Sequence, residues 1–255
     1  MISVSKAYRV FSSKVYRITM NIMSVILGLF QAFVIVVMYL SEKEGQAMQE
    51  SIEGNVSKSL GIVHEGIIIP LLVTTALMEL LIVFADYFVF VGISARHTGT
   101  MAALRSSYYG TEVIRKGIAG DHIANLIRSF IAGPLPAVVF TVVFDISNKT
   151  YTILMVLAVW GGLIFTIGVV NLVVRRFAKS IIAMIFFSYI GIAVFGIVAV
   201  VATVVMYGIN AGLVPVWMTI ICAIVFWLLA VVLMLIVKNE ALKGYKSGFV
   251  DKMGE

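Results

Sequence analysis

The sequence predicts an all-α fold: a polytopic membrane bundle of six transmembrane helices behind an N-terminal amphipathic interfacial helix. Three observations lead there. Hydrophobic residues make up 61% of the chain and charged residues 13%, against about 45–50% and about 25% in soluble domains. The apolar residues gather in runs of about 20 or more, the length a helix needs to cross roughly 30 Å of hydrocarbon. Those runs lack the in–out alternation of an outer-membrane barrel, which excludes strands. No long polar block is left for a second domain, so residues 1–255 are read as a single transmembrane domain.

The first element covers residues 1–18. Val4, Tyr8, Phe11, Val15 and Ile18 recur at helical spacing, with Lys6, Arg9, Lys14 and Arg17 off that face. A basic amphipathic helix of this kind lies along the inner membrane surface. The first span, 19–40, belongs to an apolar run too long for a signal-peptide core, and no small-residue cleavage site follows it. Residues 41–66 form an external loop carrying Glu42, Glu44, Glu50, Glu53 and Glu65 against two lysines, which reads as a solvated acidic segment.

The second span, 67–94, holds Glu79 and Asp86, seven residues apart and therefore nearly on one helix face. Carboxylates at membrane depth are costly in contact with lipid and face a bundle interior or a wet cavity. Both are candidates for a transport path. The bland alternatives are pairing with a polar neighbour, or, for Asp86, reaching the cytoplasmic interface. The third span, 123–145, is interrupted by Pro134 and Pro136, where a kink or broken helix is expected because proline cannot donate to the preceding turn. Three further spans follow at 151–174, 180–207 and 214–237, with the cytoplasmic tail at 238–255.

Orientation follows from the basic residues: sixteen of the nineteen fall on one side of this scheme, with only Lys43, Lys58 and Lys149 on the other. The positive-inside rule therefore places both termini in the cytoplasm of a multi-pass protein of the cell (cytoplasmic) membrane. The net charge of +6 then faces anionic membrane lipid, and no nucleic acid is implied.

Enzymatic motifs are missing. The chain contains no GxxxxGK[ST] loop, no HExxH and no GxSxG. His64, His97 and His122 are scattered without ligand spacing, and the single Cys222 lies inside an apolar run. Glu79 and Asp86 lie too far apart on their helix to share a proton as an aspartyl dyad does. No catalytic residue, metal or cofactor is expected.

The inner loop at 95–122 is far longer than the roughly two to eight residues that suffice to join two helices. It is basic and helical in tendency. Gly120 and Asp121 are expected to end one helix and cap the next, making a helix–turn–helix that protrudes into the cytoplasm. The bland alternative is an interfacial helix lying on anionic lipid.

With Gly110-Thr111 and Lys116-Gly117-Ile118-Ala119-Gly120-Asp121-His122 in this segment, the chain resembles permease subunits of ATP-binding-cassette exporters of the second type, the small six-span bacterial kind. Asp121-His122 stands where that family often has arginine. The resemblance implies a non-enzymatic subunit that binds a separate cytoplasmic ATP-binding subunit through its coupling loop. Arg115, Lys116, Gly117, Gly120, Asp121 and His122 would form the docking segment. It also implies a homo- or heterodimer with another permease subunit. Two other functions fit the composition: a proton- or cation-coupled secondary transporter using Glu79 and Asp86, and a structural or regulatory membrane protein.

Overall fold

The computed structural model describes residues 3–50, 67, 70–83, 107–144, 149–177, 186, 190 and 216–246. Among them there is helix and short connection, and no strand. The helices are α1 (Val4–Phe11), α2 (Lys14–Glu50), α3 (Pro70–Val83), α4 (Gly110–Ala132), α5 (Pro134–Val143), α6 (Lys149–Phe177) and α7 (Val216–Lys246).

The amphipathic N-terminal element is shorter than the expected 1–18. Ser3 caps its start, accepting from the Lys6 amide at 3.3 Å. Two serines end it: Ser12 donates its hydroxyl to the Tyr8 carbonyl at 2.8 Å, and Ser13 accepts from the Tyr16 amide at 3.1 Å. Serine hydroxyls compete with the helical ladder for backbone partners, so a Ser-Ser pair both closes α1 and opens α2. Arg17 locks the corner by donating to the Ser12 carbonyl and, at 3.1 Å, to the Ser12 hydroxyl. Residues 14–18 thus belong to the long second helix.

That helix has 37 residues, about 55 Å at 1.5 Å per residue, which outruns the hydrocarbon layer. It carries helical structure through Glu50 into the segment expected to be loop; the rest of 41–66 lies outside the described residues.

Two stretches, Lys14–Ser41 and Ala223–Glu240, are long and apolar enough to cross a membrane, with mean hydropathies of 2.4 and 2.1. The number rises to three if α4 and α5, bent by 40° at their junction, count as one broken span. Among the described residues, then, two or three helices could span a membrane, fewer than the six expected. Most of the run at 180–207 lies outside the described residues, and α3 is a shorter apolar helix over the described part of the second run.

The break falls at Gly133, whose backbone (φ −124°, ψ −81°) leaves the helical region, and Pro134 restarts the chain at the first helical position of α5. Proline is suited to that position because its missing N–H would have no intrahelical partner there.

Among the described residues, three apolar clusters hold the helices together. Ile35, Leu71, Ala137, Phe140, Val156 and Leu163 bring together α2, α3, α5 and α6. Met20, Met78, Ile82 and Ala132 join α2, α3 and α4. Trp160, Ile164 and Ala230 join α6 and α7, where the Trp160 and Trp227 rings meet edge-on at 4.8 Å. Close approach at this last seam depends on Gly161: a Cβ there would lie 2.9 Å from the Trp227 ring. Small residues do this in membrane bundles, where packing between helices replaces a hydrophobic drive.

Candidate functional site

The polar residues in the second half of α4 include three that do not point outward. Asp121, Asn125 and Arg128 are spaced by four and three, which stacks them on one helix face, and that face is buried: only 4%, 6% and 3% of each is exposed. Their side chains form a relay. The Asn125 amide donates to Asp121 Oδ2 at 3.1 Å and accepts from Arg128 Nη1 at 2.7 Å. Arg128 then reaches two other helices, donating through Nε to Asn21 Oδ1 of α2 at 2.8 Å and through Nη2 to Tyr8 Oη of α1 at 3.0 Å. Its guanidinium also lies 5.5 Å from the centre of the Tyr16 ring.

A buried cation is tolerable only when hydrogen-bonded and balanced by opposite charge. Here three amide or phenol oxygens take the guanidinium hydrogens, and the Asp121 carboxylate supplies the counter-charge through Asn125. The neighbouring residue, Ser129, accepts from Trp160 Nε1 at 3.0 Å and ties the same stretch of α4 to α6. Nearer the other end of α3, Thr74 Oγ1 meets Gln31 Oε1 at 2.9 Å in a second buried polar contact, between α3 and α2.

On a second side of α4, Glu79 of α3 and His122 and Asn125 of α4 line a cavity of about 50 Å³. Its remaining walls include Ile82, Val83, Leu126, Ile164 and Met234. Asn125 belongs to both the relay and the cavity.

The expected helix–turn–helix at Gly120-Asp121 is absent, and α4 is continuous from Gly110 to Ala132. Glycine inside a helix costs about 1 kcal/mol relative to alanine, and here a tertiary contact uses the missing side chain. A Cβ on Gly120 would sit 2.7 Å from Tyr8 Cβ, so α1 lies directly on this glycine. Asp121 caps no helix; it accepts from Asn125 one turn on.

The proposed docking residues are therefore divided. Arg115 is exposed. Lys116 is half-buried and paired to Glu112 at 2.6 Å. Gly117, Gly120 and Asp121 are buried, and His122 lines the cavity. Of the transport-path candidates, Glu79 lines that same cavity, while Asp86 lies outside the described residues. Pro134 is buried at the start of α5 and Pro136, two residues on, half-buried.

Sequence reasoning missed Tyr8, Asn21, Asn125 and Arg128 as one unit. The signal was legible in part: the spacing of Asp121, Asn125 and Arg128 is that of a single helix face. Nothing in the sequence points to their partners on α1 and α2. Among the described residues, no three histidine, cysteine or acidic side chains gather as a metal site.

The chain matches no protein-family model, no curated protein and no solved structure.

Proposed function

We propose that the chain is a non-enzymatic permease subunit of an ATP-binding-cassette exporter, in which α4 carries movement from a separate cytoplasmic ATP-binding subunit into the membrane bundle. The observation that supports this reading is the continuity of α4. It is a 23-residue rod, about 35 Å long, with the exposed pair Tyr108 and Tyr109 just ahead of it and the break at Gly133 behind it. A stiff element transmits a bias between two states; a floppy loop does not. Near the C-terminal end of the rod, Arg128 grips α1 and α2, so that displacement at its N-terminal end would be passed to the first span.

This reading shifts the docking surface from Arg115–His122 toward the N-terminal end of α4, keeping Arg115 and adding Tyr108 and Tyr109, all three exposed. Aromatic and arginine side chains are favoured anchors in protein interfaces. The subunit would sit as a multi-pass protein of the cell membrane with both termini in the cytoplasm, and would pair with another permease subunit to complete a pathway.

The test is co-purification of the tagged full chain from its native membranes, with any bound ATP-binding subunit identified by mass spectrometry. Tyr108→Ala, Tyr109→Ala and Arg115→Glu together are expected to weaken that complex at least tenfold, while Tyr8→Phe leaves it intact. Undiminished binding by the triple variant would remove the docking role.

A further inference from the structure

The cavity beside the relay has a composition of its own. Glu79 and His122 come from different helices, α3 and α4, and both are half-buried where they line it. They are an acid and a base facing one small space. The walls from α6 and α7, including Ile164, Gly168, Met234 and Val237, bring no titratable group. Behind Asn125 stand Arg128 and Asp121, already engaged with each other through that amide.

Size limits what this space can take. At about 50 Å³, against roughly 30 Å³ for a water molecule in the liquid, it admits one or two waters and excludes a peptide, lipid or drug-sized solute. Donor chemistry limits it further. Imidazole is a poor ligand for the hard alkali and alkaline-earth cations, and one imidazole with one carboxylate is fewer ligands than a transition metal takes from protein in a stable site. A proton needs only these two groups and a water to deliver it.

We propose that Glu79 and His122 form a proton-binding pair within the bundle, loaded through water in the cavity they line. In largely apolar surroundings one proton between carboxylate and imidazole, whichever of them carries it, is the least costly state, because the two groups are then neutral together. Gain or loss of a proton leaves a net charge between α3 and α4, and that charge alters how the two helices fit. The proton site is independent of the permease reading and stands whether or not α4 grips a motor.

The experiment uses the full chain in lipid nanodiscs with its three histidines isotopically labelled at the ring nitrogens. His122→Gln identifies the His122 signal by its disappearance, and the signal is followed from pH 4 to pH 9. The wild-type His122 imidazole is expected to exchange its proton within that range. Glu79→Gln is expected to weaken its proton affinity at least tenfold, and Glu79→Asp, which keeps the carboxylate, to change it by less than Glu79→Gln does. An unchanged elution volume on size exclusion and an unchanged helical circular dichroism spectrum certify that each variant is folded. A His122 signal that does not move with pH in the wild type overturns the proposal, as does a titration identical in wild type, Glu79→Gln and Glu79→Asp. Should Glu79→Gln fail to fold, the wild-type and Glu79→Asp titrations decide.

Discussion

Arg128 Nη2 donates to Tyr8 Oη across 3.0 Å, joining residues 120 positions apart. The first helix of the chain is thereby held to α4 by a guanidinium that is itself buried and balanced by Asp121. The contact has two consequences: α1 is part of the bundle, and the stability of its seat depends on charge balance inside α4.

Removing the cation tests that balance. Arg128→Met leaves the Asp121 carboxylate buried without its counter-charge, a situation that costs about 3–5 kcal/mol. Asp121→Asn in the same chain removes the stranded charge. The double variant is therefore expected to recover about 1–2 kcal/mol of the loss, a coupling within the range for residues in one network. Thermal unfolding in detergent, followed by tryptophan fluorescence, measures both variants. Losses that simply add would show that Asp121 does not balance Arg128.

Gly120→Ala sets two effects against each other. Alanine favours the helix by about 1 kcal/mol. The new methyl, however, meets Tyr8 Cβ at 2.7 Å, and a Cβ cannot rotate aside as the end of a flexible side chain can. Overpacking of this kind costs about 1–3 kcal/mol, so the clash is expected to win and α1 to lift from α4. Trypsin cleavage after Lys6 and Arg9 reports the lifting, because proteolysis follows the population of the open form. Several-fold faster cleavage is the expected result; slower cleavage would mean that propensity outweighs the contact.

These two cases show where local rules suffice and where they fail. Helical class and membrane character were legible because composition and run length are properties of a segment alone. Pro134 was legible for the same reason: a missing N–H acts wherever the residue stands. Gly120-Asp121 was misread as a turn, since a glycine followed by an acid resembles a stop and a cap. What decides against a turn is Tyr8, a residue distant in sequence whose packing requires a position without a side chain. Arg128 was counted as a marker of the cytoplasmic side, since nothing near it in sequence reveals Asn21 and Tyr8 as partners. His122 likewise has no ligand spacing, because Glu79, which lines the same cavity, sits on another helix. The Ser12-Ser13 corner was visible in composition but masked by an apolar periodicity that continues through it.

The N-terminal end of α4 carries a pH-sensitive pair. The side-chain hydrogen bond from Lys116, and then its positive charge, hold the Glu112 carboxyl below its ordinary value of 4.5. A carboxyl lowered in the folded state contributes stability above the ordinary value and loses it as pH falls through the lowered one. The first turns of α4 are thus expected to keep their pairing at pH 5 and loosen only in stronger acid. Lys116→Gln should bring the Glu112 titration back toward 4.5, as seen in its side-chain carboxyl carbon shift. A titration unaffected by Lys116→Gln would assign the lowering to another source.

Asn125 lets the relay and the cavity be tested together. Its amide is the one group that accepts from Arg128, donates to Asp121 and lines the space beside Glu79 and His122. Shape alone suggests leucine as the mild replacement, since it nearly fills the same volume. The chemistry argues the reverse. Asn125→Leu deprives both buried ions of a partner and keeps water from taking the amide's place, so the full penalty of about 3–5 kcal/mol for breaking a buried charge network applies. Asn125→Ala opens room continuous with the cavity, and a water bridging Arg128 to Asp121 recovers much of the lost hydrogen bonding for at most about 2 kcal/mol of immobilisation. The smaller side chain is therefore expected to be the more stable variant. Unfolding midpoints of the two proteins in the same detergent decide the matter: a leucine variant as stable as the alanine one would mean that packing, and not ion solvation, governs this site.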